Sequence, residues 1–193
     1  MNKRVLTKLE QGEETTLLGK LLLTRRQRQV VLKWLLLSAG YLLLQVLQDV
    51  VFSRVRILGG CPDLVPGYLL LVCLLQGPGS GGLFALCAGV FRCLSGAVLG
   101  PVSLVILTFS GILLSIFRRA CLRRQFWAEL LCCWLGLAIH QGLLFGLGLF
   151  LGSTAPERWV ACLGGTLGAC LAAALLYLPV KAMGSIGGSQ WNE

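Results

Sequence analysis

The sequence predicts an all-α integral membrane protein of about six transmembrane helices. Three observations predict it: 56% of the 193 residues are hydrophobic, only 13% are charged, and the charges fall in clusters. A soluble domain carries about 25% charged residues, and a chain of this size cannot hide so much apolar surface in one core. The mean hydropathy of +0.80 fits a chain whose solvent is lipid and speaks against a soluble globular enzyme.

The net charge of +9 raises nucleic acid as a partner, but the positions of the basic residues argue otherwise. Seven of the 17 Lys and Arg lie in residues 1–28, and four lie in the run "RRACLRR" (Arg118, Arg119, Arg123, Arg124). Both clusters abut apolar spans, where basic residues face the cytoplasm and anionic headgroups. The expected surroundings are a lipid bilayer, with no nucleic acid.

Residues 1–28 form a basic, cytoplasmic N-terminal segment. Its run "TTLLGKLLLTRRQRQ" either lies along the membrane surface as a helix or is a solvated tail. It does not read as a secretory signal: the opening residues are polar, and the first apolar run is long and lacks a small-x-small cleavage site. The first span is therefore expected to stay in the protein.

A helix crossing the hydrocarbon needs about 20 apolar residues. The first such stretch is 30–52, with Lys33 placed to snorkel from its inner end and Asp49 near its outer end. The second, 61–76, has Pro62 and Pro66 near its start, where a helix tolerates proline best. If Pro66 sets the start, this span is short enough to need a thinned bilayer, or it does not cross fully. "GPGSGG" at 77–82 reads as a breaker. Spans at 83–98 and 102–117 follow, separated by "GAVLGP", and then comes the basic loop. The fifth span is 126–151, ended by "GSTAPER", and the sixth is 159–178, closed by Pro179 and Lys181. Trp34, Trp127, Trp134 and Trp159 fall mostly near span ends, as interfacial aromatics do.

The membrane domain is thus 29–182, followed by a short C-terminal tail, 183–193. Six spans put both termini on one side. With the N-terminus inside, the outer loops carry only Arg54, Arg56 and Arg158, which is the expected asymmetry. Four or five spans remain if 61–76 or 83–98 is re-entrant.

No enzyme chemistry is legible. The nine cysteines include no C-x-x-C, and most sit in apolar runs where Cys behaves as a small hydrophobe. Cys61 lies near the outer surface, and its redox state is left open. His140, the one histidine, lacks the neighbours of a metal site or a proton relay and reads as hydrogen-bonded between helices. No Ser/His/Asp set, paired acids, metal site or cofactor motif is present in the sequence.

Arg92, inside "LFALCAGVFRCLSG", is the deepest charge. A charge at bilayer depth costs about 2.5–3.5 kcal/mol on insertion scales, so it is expected to pair. Asp49 and Asp63, near the outer side, fit better than Glu129, near the inner side; the other reading of Arg92 is a ligand or partner contact. Glycines one helical turn apart recur at Gly96 and Gly100, Gly142 and Gly146, Gly148 and Gly152, and Gly164 and Gly168. Such pairs let helices approach closely, so the third, fifth and sixth spans are expected to pack tightly, within the chain or against another membrane protein.

The stretch from Pro62 to about Arg119 adds an ordered set of motifs: Pro62–Asp63, Gly77–Pro78, Gly81–Gly82, Gly89, Ser95–Gly96 and Gly100. In that order they resemble the rod shape-determining MreD family of bacteria. The chain departs from the family at Arg92, where the family often has an acid. The resemblance implies a non-enzymatic scaffold of the cell-elongation machinery in the cytoplasmic membrane. Its implied partners are an MreC-like single-span protein and, through it, peptidoglycan synthases. It also implies a six-helix fold similar to the substrate-binding subunits of energy-coupling-factor vitamin transporters, which supply the alternative function. Asp49, Asp63, Arg92, Gly89, Gly96, Gly100, Gly142, Gly146, Gly164 and Gly168 are the candidate partner-binding or helix-packing residues.

Overall fold

The computed structural model describes residues 25–95, 100–121 and 126–186. The N-terminal run up to residue 24, Gly96, the end of the basic loop with Arg123 and Arg124, and the tail from 187 lie outside the described residues. Among the described residues six α-helices follow one another: α1 (Arg25–Leu47), α2 (Leu64–Gln76), α3 (Pro78–Leu94), α4 (Gly100–Cys121), α5 (Phe126–Phe150) and α6 (Trp159–Gly184). A π-helical turn, Gln48–Phe52, extends α1, and a 3-10 turn, Pro156–Arg158, leads into α6.

Among the described residues four helical stretches are long and apolar enough to cross a membrane: Gln27–Phe52, Gly100–Ala120, Phe126–Phe150 and Pro156–Gly184. The other two helices, α2 and α3, have 13 and 17 residues. At 1.5 Å per residue they reach about 20 and 25 Å, against a hydrocarbon core of about 30 Å.

The short α2 is the centre of the fold. All its residues are buried, and it packs against each of the other five helices. That explains its composition, "LVPGYLLLVCLLQ": a helix enclosed on every side has no polar face. Asp63 caps its start by accepting from Val65 N at 3.3 Å, and Pro66 sits in the first turn. Tyr68 ties it to α1 by donating to Leu37 O at 2.7 Å.

Two boundaries differ from the sequence reading. The break after α2 is one residue, not the six of "GPGSGG". Gly77, at φ 92°, turns the chain, and Pro78 opens α3 at once. The other glycines are there for packing: a Cβ on Gly81 would lie 2.7 Å from Cys73 Cα, and one on Gly82 would lie 2.8 Å from Ile112 Cγ1. The third helix therefore runs over 78–94 rather than 83–98. Pro179 does not close α6, which continues to Gly184 with the proline inside it.

Successive helices alternate in direction. One end of the bundle, the near end, holds the start of α1, the α2–α3 junction, the end of α4, the start of α5 and the end of α6. The far end holds the loop 53–63. There Ile57 and Gly60 exchange backbone hydrogen bonds of 2.8 and 2.9 Å around Leu58 and Gly59, both at positive φ. This small hairpin lies directly on the glycines of α6.

Candidate functional site: charged groups at the two ends of the central helix

The far-end cluster is built on α2 and α3. Arg92, in the last turn of α3, forms a two-pronged ion pair with Asp63, with Nη1 to Oδ1 at 3.2 Å and Nη2 on Oδ2. Both side chains are about one-fifth exposed, 19% and 22%. Asp63 thus both caps the central helix and balances Arg92, which lies in the last turn of α3 rather than deep within it. Of the two acids named from the sequence, Asp63 is the partner. Asp49 is exposed and accepts instead from Gln45 Nε2 at 3.3 Å on its own helix.

Neighbouring groups hold Asp63 in place. Gln48 donates to Pro62 O at 2.9 Å and accepts from Leu64 N at 3.0 Å, spanning the residue between them. Tyr41 donates to Ala88 O at 2.8 Å, fixing α1 to α3 one turn before Arg92. His140, 1% exposed on α5, places Nε2 3.2 Å from the Ser103 hydroxyl on α4. That is the interhelical bond expected of it. Its Nδ1 has no partner among the described residues.

The near-end cluster was not read from the sequence as a unit. Arg118 and Glu129 form an ion pair whose side chains are 8% and 5% exposed. Arg118 Nη1 also donates to Leu74 O at 2.5 Å, near the end of α2. Tyr177 OH donates to Glu129 Oε2 at 2.5 Å, and Lys181 Nζ donates to Tyr177 at 3.2 Å. Three helices and the end of a fourth are thereby joined through one carboxylate. Arg118 is not a loop charge but a buried residue of α4, in phase with Leu107, Gly111 and Leu114. That spacing was the available signal; the neighbouring arginines of the basic run masked it. Lys33 also turns inward rather than snorkelling, bonding Gln76 Oε1 at 2.8 Å with 5% of the residue exposed.

The candidate glycines divide by what they touch. A Cβ on Gly89 would meet Leu104 at 3.0 Å and one on Gly100 would meet Cys93 at 3.3 Å, so α3 and α4 do pack closely. Gly164 and Gly168 receive the far-end loop rather than a helix. Ile57 O lies against Gly164, and a Cβ on Gly168 would lie 2.6 Å from Pro62 Cβ. Gly148 and Gly152 belong to the turn that ends α5, with Thr154 N donating to Gly148 O at 3.1 Å and Gly152 at φ 66°. Gly142 and Gly146 pack against nothing within 4 Å among the described residues. Tight packing of the fifth helix through that pair does not occur within the described chain.

Cys61 is a free, exposed thiol, and no group of three or more metal-ligating side chains occurs among the described residues. Compared with known proteins, the chain matches no family model, no curated protein and no solved structure.

Proposed function

We propose that the protein is a non-enzymatic membrane scaffold of the bacterial cell-shape machinery. On this reading it crosses the cytoplasmic membrane six times with both termini inside. It binds an MreC-like single-span protein and links it to peptidoglycan synthesis. The observation that carries the reading is the Asp63–Arg92 pair. It joins the two ends of the motif frame, Pro62–Asp63 and the turn before Ser95–Gly96, into one unit. The arginine that departs from the resembled family is thereby balanced by another residue of the same frame.

The near end fits the inside on this topology. It carries Arg25, Arg26 and Arg28 at the start of α1, Arg119 at the end of α4 and Lys181 at the end of α6, as the positive-inside rule requires. On this reading the two short helices cross as well: α2 is enclosed by the other five helices, and α3 buries its small-residue face, Gly81, Gly82, Ala85, Ala88 and Gly89. The surface best suited to a single-span partner is the face of α5 holding Ala138, Gly142 and Gly146, all exposed. Small residues there would let a second helix approach backbone to backbone.

The alternative is a substrate-binding subunit of a vitamin transporter. One observation favours it: the unpartnered Nδ1 of His140, close to Ser103 in the interior, is the kind of polar group that fixes a ligand. Co-purification of the full chain from bacterial membranes separates the two. The scaffold reading expects an MreC-like protein in the eluate. A vitamin in the eluate with no single-span protein would replace it with the transporter reading.

Arg92→Leu gives a second check. It leaves Asp63 about one-fifth exposed without its partner, and the expected cost is about 1–3 kcal/mol. The helices should still form and insert. If Arg92 serves only to balance Asp63, the double variant Arg92→Leu with Asp63→Asn restores stability and keeps partner recovery. Lost partner recovery in a stable double variant would make the pair part of the contact surface.

A further inference from the structure

We propose that the groove between α1 and α3 holds an anionic phospholipid, its phosphate beside Lys33 and one acyl chain along the groove. The argument starts from an unbalanced charge. The ion pairs among the described residues are Asp63–Arg92 and Glu129–Arg118, and neither includes Lys33. Its ammonium, in a residue only 5% exposed, has one neutral acceptor, Gln76 Oε1, and lies 5.3 Å from the Trp34 ring centroid. The Gln76 amide nitrogen beside it is buried without an acceptor. Two donors and a positive charge therefore meet at one place with no acidic partner among the described residues, and burying an unpaired charge is costly.

The groove next to this charge has the shape and lining for a lipid chain. It has a volume of about 410 Å³ and is walled by Trp34, Ser38, Ser80, Leu83, Phe84 and Cys87. It exists because α1 and α3 touch mainly through aromatic pairs, Trp34 with Phe84 and Tyr41 with Phe91, rather than along their backbones. Trp34 lines the groove while its ring also carries the Lys33 ammonium, so the charge marks the near end of the channel. Ser80, on the opposite wall, bonds back to Gln76 O at 3.1 Å.

Charge complementarity selects the occupant. A second groove, between α4 and α5, has a comparable volume of about 480 Å³ and is lined by apolar side chains alone, Leu113, Phe117, Leu135 and Ile139 among them. It gives no reason for one lipid over another. At the Lys33 groove a phosphate supplies the negative charge that Lys33 lacks, while the acyl chain covers Leu83 and Phe84. The inference is independent of the scaffold reading and requires only that α1 and α3 lie in a bilayer.

The test uses the full chain in a non-ionic detergent, with bound lipid counted by native mass spectrometry. Phosphatidylglycerol and phosphatidylcholine with the same chains compete at equal concentration. A basic side chain near an anionic headgroup contributes about 1 kcal/mol, so phosphatidylglycerol should be retained about five-fold over phosphatidylcholine. Lys33→Gln should abolish the preference and Lys33→Arg should keep it. Should Lys33→Gln fail to fold, Ser38→Trp, which fills the groove and leaves the charge, should displace both lipids. Equal retention of the two lipids by the native chain would overturn the proposal. So would an unchanged preference in Lys33→Gln, full retention in Ser38→Trp, or displacement of the lipid by inorganic phosphate alone.

Discussion

Glu129→Gln is expected to destabilise the protein by about 3–5 kcal/mol, the range for removing one partner of a buried ion pair. The carboxylate accepts from both Arg118 and Tyr177. Its loss leaves a guanidinium, 8% exposed, facing a neutral amide. Arg118 retains only Leu74 O, which does not balance its charge. Arg118→Leu should cost a similar amount by stranding Glu129. The double variant Arg118→Leu with Glu129→Leu should recover most of either loss, because apolar residues of similar volume replace a buried pair at little net cost. Unfolding in mixed micelles, followed by loss of helicity, reads all three. Single costs below about 1 kcal/mol, with an additive double variant, would mean that the pair is solvated.

The second large effect separates glycines that look alike in the sequence. Gly164→Ala should destabilise by about 1–3 kcal/mol, the usual range for overpacking. Its new methyl would run into the backbone carbonyl of Ile57 and would lie 2.8 Å from Leu58 Cβ. The hairpin must lift off α6, and with it moves the segment that carries Pro62 and Asp63. Gly142→Ala and Gly146→Ala, in contrast, meet open space. They should be neutral or stabilising by up to about 1 kcal/mol, since alanine is the better helix former. Thermal unfolding of the three variants is the readout. Equal effects at Gly164 and Gly142 would contradict the packing described here.

These two cases also show where the sequence could and could not be read. The long helices were legible because twenty apolar residues between charged loops leave few alternatives, and α1, α4, α5 and α6 fall close to their expected places. Arg92 announced its need for a partner as a lone charge in an apolar run, and the order of the spans narrowed the choice to Asp49 or Asp63.

Three things were hidden for physical reasons. In "GPGSGG" every glycine looks like a breaker, yet only Gly77 needs the left-handed backbone; Gly81 and Gly82 are small because neighbouring helices lie on them. A pair of glycines a turn apart declares a flat surface but not its occupant. Gly164 and Gly168 take a loop, Gly148 and Gly152 make a turn, and Gly142 and Gly146 stay open. Arg118 stood next to Arg119 in a run that reads as a loop. Only its helical phase with Leu107 and Leu114 distinguishes the residue that points inward. Lys33 was hidden in the same way, because snorkelling and inward pairing ask for the same position near a helix end.

The most direct test of the scaffold account is site-specific photocrosslinking in bacterial membranes. A crosslinking side chain is placed at Leu135, Gly142 or Leu143 on the exposed face of α5, and at Leu43 on α1 and Leu171 on α6 as controls. The account predicts an adduct with an MreC-like single-span protein from the α5 positions and little from the controls. Adducts with lipid or with copies of the same chain alone, at all five positions, would contradict it.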